Sequence, residues 1–271
     1  RPDAPLGGRI EVVHDRGAQT RALLNEIWEA AASARAGSLS RPSEWWETIL
    51  GRKEGWMGGG ERILAIHRDP SGSPDGYVQY SVKESGRQGI DQMSPRIHEL
   101  VGVTPAAEVA LFHHLTSFPW ATEVSWAFAP VDPALGAWLQ DFRGLRVGAH
   151  YDFLWVRPLD WAAMAQQRRF SAPGDVRLRL DDPVFDDLGG RWDLSVRGQT
   201  GTESALVGSM VPGSGAAELS MGVQELSALW LGAGSARQLL HVGRIAGTPA
   251  AAAALDRMLH TALPPRCMSR F

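Results

Sequence analysis

Two adjacent tryptophans in Arg41-Pro42-Ser43-Glu44-Trp45-Trp46-Glu47 are well suited to meet a cationic group, because an indole face attracts an ammonium. On a helix, neighbouring side chains point about 100° apart. One ring then faces inward and the other outward. Trp46 is thus either a core anchor or the wall of a polar cavity that stacks on an amine. His113-His114 falls in a helix expected after Pro105. The same angle keeps both rings off one metal, leaving one half-buried and one exposed imidazole. No His-Glu-x-x-His, Cys-x-x-Cys or comparable ligand spacing occurs in the sequence, so no metal is expected. Nor is there a Gly-x-Ser-x-Gly elbow or a Gly-rich phosphate loop. The chain closes on Pro264-Pro265-Arg266-Cys267-Met268-Ser269-Arg270-Phe271. Two prolines end the preceding helix and project an extended tail. A final aromatic can anchor such a tail where most termini fray.

The elements that must position these residues follow from pattern. Arg9–Val13 reads as a strand, and 18–34 as a helix with Leu23, Leu24, Ile27 and Trp28 at helical spacing. Ser43, or Ser40 before Pro42, is the expected cap of a helix through Trp45-Trp46 to Leu50. Strands are expected at Arg62–His67, Gly76–Val82, Ile97–Val103 and Val124–Phe128. Thr104-Pro105 and Asp132-Pro133 open helices, with proline in the first turn. This order is mixed α/β. A second domain is expected from residue 153. There Phe153–Arg157 reads as a strand, with Trp155 in the core and Arg157 in an internal ion pair, and Asp160–Arg168 as a helix. Strands then recur at Val176–Leu180, Arg191–Val196, Ser204–Val207 and Ala217–Met221. Helices at 223–231, 235–242 and 249–262 close an α+β pattern. Gly232 and Gly234 can take the left-handed conformation that stops the first of these, and Ser235 caps the next.

Length, 271 residues, suits two domains. Net charge is −3, so no global basic field gathers nucleic acid. Cys267 is the only cysteine and excludes an intrachain disulfide. A reducing, cytoplasmic setting fits. No apolar run approaches the ~18 residues of a membrane span, and the N-terminus has no signal-peptide pattern. Arg1-Pro2-Asp3-Ala4-Pro5-Leu6-Gly7-Gly8 lacks an initiator methionine and reads as a join to upstream polypeptide.

Three stretches carry a resemblance. Glu225–Gly243, with its helix, glycine stop and second helix, is followed by the Phe-terminated tail. Arg41–Glu47 resembles an R-P-x-x-x-W-[DE] segment, and Asp152–Arg157 a D-x-L-W-[VL]-R strand. Together they resemble the enhanced-intracellular-survival (Eis) family of GNAT N-acetyltransferases. The resemblance implies a GNAT-like mixed-sheet domain over 1–152 and a sterol-carrier-protein-like α+β domain over 153–271. It implies acetyl transfer from acetyl-CoA to an amine, either an aminoglycoside or a lysine-type acceptor, small molecule or peptide. The Phe271 carboxylate would be the general base. Trp46 would line the substrate cavity, and Arg270 would face the acceptor, where these proteins often carry an acid. A homo-oligomer, a hexamer in the family, is implied. The coenzyme loop [RQ]-x-x-G-x-[GA] is missing. Its nearest approach, Arg52–Met57, ends in Met. Acetyl-CoA is therefore expected to be bound by an N-terminal GNAT domain that is not in this chain, leaving the chain alone inactive. Two other readings need less: an apolar ligand in a sterol-carrier-like tunnel, or a non-catalytic oligomerisation module.

Overall fold

The computed structural model describes residues 7–50, 62–87, 90–152, 154–198 and 206–269. The chain divides into two compact units. The first runs to His150 and takes back the tail from Arg266; the second spans Tyr151–Pro265.

The first unit contains β1 (Arg9–Val13), α1 (Ala18–Ser33), α2 (Ser43–Ile49), β2 (Ile63–Arg68), β3 (Pro74–Arg87) and β4 (Ile90–Gly102). It continues with α3 (Pro105–Thr116), β5 (Ser125–Trp126) and α4 (Leu135–Trp138). Its sheet runs β1-β2-β3-β4-β5, antiparallel apart from the parallel β4–β5 pair. Strand alternation sends side chains to two faces. One face gives Leu64, Ile66 and Tyr77 to a core with Leu24, Ile27, Trp28 and Trp46. The other gives Ala65, Val78, Tyr80, Ile97 and Leu100 to a core with Leu111 and Leu115 of α3. Ile97 and Leu100 are three apart and so would face opposite ways in a regular strand. The register steps from Gln79↔Glu99 to Tyr80↔Ile97, so a bulge at His98 takes up the odd residue. The bulge keeps Ile97 on the α3 face and Glu99 opposite Gln79 on the other.

Thr104 caps α3, its side chain accepting from Ala107 N–H, with Pro105 behind it. α2 differs from the expected cap: its N-cap is Pro42, with no side-chain bond, so neither Ser43 nor Ser40 serves. β5 is far shorter than the expected Val124–Phe128. It pairs over two residues, and Phe128 turns to φ 65°, a region aromatic residues rarely enter. α4 likewise begins at Leu135 rather than at Pro133.

The second unit contains α5 (Trp161–Gln167), β6 (Gly174–Asp181), β7 (Gly190–Gly198), β8 (Leu206–Pro212) and β9 (Leu219–Gly222). Then come α6 (Val223–Leu231), α7 (Ala236–His241), β10 (Ala246–Gly247) and α8 (Pro249–Leu259). The sheet order is β10-β9-β6-β7-β8, with β6 and β9 parallel. Val176, Leu178 and Leu180 alternate inward from β6. They meet Leu226, Leu229, Trp230 and Leu255 in one core. Gly232 ends α6 at φ 88°, and Ser235 caps α7, accepting from Gln238 N–H. Of the strand expected at 153–157, Phe153 lies outside the described residues and residues 154–157 have no ladder partner; Trp155, expected in the core, is 83% exposed. Arg157 does form its ion pair, with Asp182.

Candidate functional site

The polar centre of the first unit lies on the α1/α2 face of its sheet. Gln79 and Glu99 are directly opposed, and Tyr77 lies two residues along on the same face. The Tyr77 hydroxyl donates to Glu99 Oε2 at 2.7 Å. Arg41, from the segment before α2, grips Glu99 with both terminal nitrogens, at 3.0 Å and 2.6 Å. That fork-to-fork geometry suits an arginine rather than a lysine. The guanidinium lies 3.3 Å from the Trp28 ring centroid and 5.1 Å from that of Trp46. Trp28 and Trp46 are themselves fixed, their indole N–H groups donating to Leu39 C=O and to Asn25 Oδ1, each at 3.0 Å.

Burial is the largest influence on each group here, and the partners decide its sign. Burial opposes the Arg41 charge, but Glu99 and Tyr77 outweigh it and Arg41 is raised. Burial would raise Glu99, but Arg41 and the Tyr77 hydroxyl hold it below the usual carboxylate range. Burial, followed by the Glu99 charge, pushes the Tyr77 hydroxyl well up. The cluster is thus a neutral tyrosine with a locked ion pair.

The tail seats beside this cluster. Arg266 N–H donates to Ala36 C=O at 2.9 Å, and Arg266 C=O accepts from Ser38 Oγ at 3.1 Å. Gly37, between these two contacts, is at φ 84°, a conformation that glycine adopts readily. Met268 packs on the Trp28–Trp46 core, and Ser269 is 2% exposed. Phe271 and Arg270, the expected base and acceptor-facing residue, lie outside the described residues. Trp46 is placed in the core at 1% exposure, its ring edge-on to Tyr77. His113 is exposed and His114 half-buried, as the helix angle requires. No group of metal-ligating side chains occurs among the described residues.

Pyrophosphate binding needs consecutive free N–H groups at a helix start. At the start of α1, the Asp15 carboxylate accepts from Gly17 N–H at 2.9 Å, where it repels an anion. At α3, Pro105 has no N–H and Thr104 already holds Ala107. Arg52–Met57 lies outside the described residues.

In the second unit, a cavity of about 380 Å³ is lined by Gly232, Ser235, Arg237, Asp256, Arg257 and His260 among others. Leu229, Leu255, Leu259 and Pro264 complete its lining, which therefore mixes apolar and charged side chains. Asp256 is committed within it, bonding Ser235 Oγ at 2.6 Å and Ala236 N–H at 2.5 Å at the start of α7.

Residues 37–158 match an Acetyltransferase (GNAT) domain, and residues 162–268 a Sterol carrier protein domain. The chain is 33% identical over 271 residues to an uncharacterized N-acetyltransferase of Streptomyces avermitilis, covering 98% of this chain and 62% of that protein. It is 29% identical over 248 residues to N-acetyltransferase Eis of Mycobacterium tuberculosis, covering 90% and 56%. By these matches the chain is similar to the Eis-like GNAT N-acetyltransferases. Eis1 from Mycobacterium abscessus shares the fold with a TM-score of 0.77 at 21% identity, over 100% of this chain and 64% of that one. The chain thus spans about three-fifths of the length of these family members. Its two matched domains give the mixed-sheet GNAT-like unit followed by the sterol-carrier-like unit expected from the sequence.

Three residues of the polar centre escaped the sequence reading. Arg41 stands in the segment singled out for its tryptophans. Glu99 is an acid in the mostly apolar run Ile97–Val101, which could have marked it as a buried, paired group. Arg266, after two prolines, carried no signal of its own.

Proposed function

We propose that this chain is the acceptor-side and tail-bearing part of an Eis-like N-acetyltransferase. The reaction moves an acetyl group to an amine, of aminoglycoside or lysine type. The observation that carries this reading is the seating of Arg266–Ser269 in the first unit. A tail held this firmly can present a terminal group at a fixed point. Before an ammonium can attack a carbonyl carbon it must lose a proton. The Phe271 carboxylate is the group assigned to take it, with Arg270 beside the acceptor.

Acetyl-CoA is held elsewhere in this reading, by a GNAT domain beyond these 271 residues. The absence of an [RQ]-x-x-G-x-[GA] coenzyme loop from the sequence supports that division. In this reading Trp46, buried and stacked with Trp28 and Arg41, supports the acceptor region from behind. Assembly into a homo-oligomer belongs to the same reading.

Calorimetry tests the division of labour. The 271-residue chain should bind no acetyl-CoA at micromolar concentration, whereas a polypeptide spanning the full length of the relatives should bind it and turn over an amine. Micromolar binding by the chain alone would refute the assignment.

A further inference from the structure

Arg266 enters the first unit with its backbone pinned on both sides, and its side chain is buried with little direct satisfaction. Nε and Nη2, the parallel pair of donors on one side of the guanidinium, are both buried and have no hydrogen-bond partner. The group sits 5.7 Å from the Trp126 ring centroid. Charged groups from several elements face it: Glu108 on α3, Glu99 on β4, Asp132 before α4, and Arg35 after α1. Burial lowers its pKa to about 10, so it stays charged at neutral pH.

Two of the three acids are already committed. Glu99 is held by Arg41. Asp132 takes both terminal nitrogens of Arg35, at 2.9 Å and 3.1 Å. Glu108 forms no ion pair among the described residues; its Oε1 accepts only a long bond, 3.4 Å, from Ala134 N–H. Burial raises the Glu108 carboxyl and the Arg266 charge opposes that rise; across a low-dielectric interior the two charges attract.

We propose that Arg266 is a positioning latch for the C-terminal tail and that Glu108 is its counter-charge. The pair holds Arg266–Ser269 against the first unit. This rests on the reading that the tail end is functional, but its test does not. Cys267, the single cysteine, is adjacent, half-buried, with its thiol donating to Ser269 C=O at 3.5 Å. Its rate of reaction with a small aromatic disulfide reports opening of the tail.

In the 271-residue chain, Arg266→Met and Glu108→Gln should each raise that rate at least about tenfold, equivalent to about 1.4 kcal/mol. Loss of a neighbouring positive charge by itself slows a thiolate's reaction, so faster labelling in Arg266→Met reads exposure. Arg266→Lys should fall between. The pair Arg266→Met with Glu108→Gln should return toward the wild-type rate, as removal of both charges does for a buried pair. A merely structural arginine would not give that return. Rates within about twofold of wild type in both single variants would overturn the latch, as would strictly additive effects. If Arg266→Met fails to fold, Glu108→Gln and Arg266→Lys decide by the same criterion. One glycine appended after Phe271 should leave the Cys267 rate unchanged. If it also leaves turnover of the longer enzyme unchanged while the latch variants behave as stated, the base assignment fails and the latch stands.

Discussion

Replacing Glu99 by leucine removes the counter-charge of Arg41 and the acceptor of Tyr77 in one step. Both partners are buried, the Arg41 and Glu99 side chains being 2% and 8% exposed. Breaking such a pair from one side costs about 3–5 kcal/mol, because a charge is left in the interior. Domain stabilities lie near 5–15 kcal/mol, so the first unit should lose about a fifth of its stability or more. With a urea slope of roughly 2 kcal/mol per molar, the midpoint of its unfolding should fall by about 2 M, followed by circular dichroism. Arg41→Leu should cost a similar amount. The double variant Arg41→Leu/Glu99→Leu should cost less than either, since a matched apolar pair carries no orphan charge. The pH dependence follows from the direction of the Glu99 shift. The unfolded chain takes up that proton near the ordinary 4.5, while the folded chain does so only at lower pH. The unfolded state therefore binds more protons in that interval, and stability falls as pH drops through it while remaining complete at neutral pH. Glu99→Leu should flatten this acid limb. Additive single costs below about 1 kcal/mol each, with an unchanged acid limb, would refute the reasoning.

Further outcomes follow from single features. Trp46→Leu should destabilise the first unit by about 3–5 kcal/mol, as expected for a deleted core aromatic, and urea unfolding reads it; a loss under 1 kcal/mol accompanied by weaker acceptor binding in the full-length enzyme would make Trp46 a cavity residue instead. Asp256→Ala removes the carboxylate from the start of α7 and should cost about 1 kcal/mol in the second unit's thermal transition. Gly232→Ala forces a side chain into a left-handed residue, where its Cβ would stand 2.1 Å from Thr261 Oγ1. It should cost at least about 1–2 kcal/mol, seen as a lowered melting temperature, and an unchanged one would argue against that cap.

Local chemistry made much of the fold legible. Thr104-Pro105 and Thr248-Pro249 mark helix starts that the structure confirms, because cap and proline act within one turn. Gly232 was readable for the same reason. Asp152–Arg157 alternates like a strand, yet an alternating pattern forms a strand only where a sheet edge receives it, and residues 154–157 have none. Val124–Phe128 failed similarly when Phe128 left the extended region. The polar centre was hidden by distance: Arg41 and Glu99 are 58 residues apart, and the bulge at His98 decides which face Glu99 takes. No periodicity in one sequence carries that information. Arg266 was obscure because its partners come from four separate elements.

The account stands on the tail's last residue acting as a base. One glycine appended after Phe271 moves the terminal carboxylate by ~3.5 Å, far beyond what proton transfer tolerates. In the acetyltransferase spanning the full length of its relatives, the account predicts that fold and acetyl-CoA binding persist while kcat falls at least ~10²-fold. Unchanged turnover would contradict it.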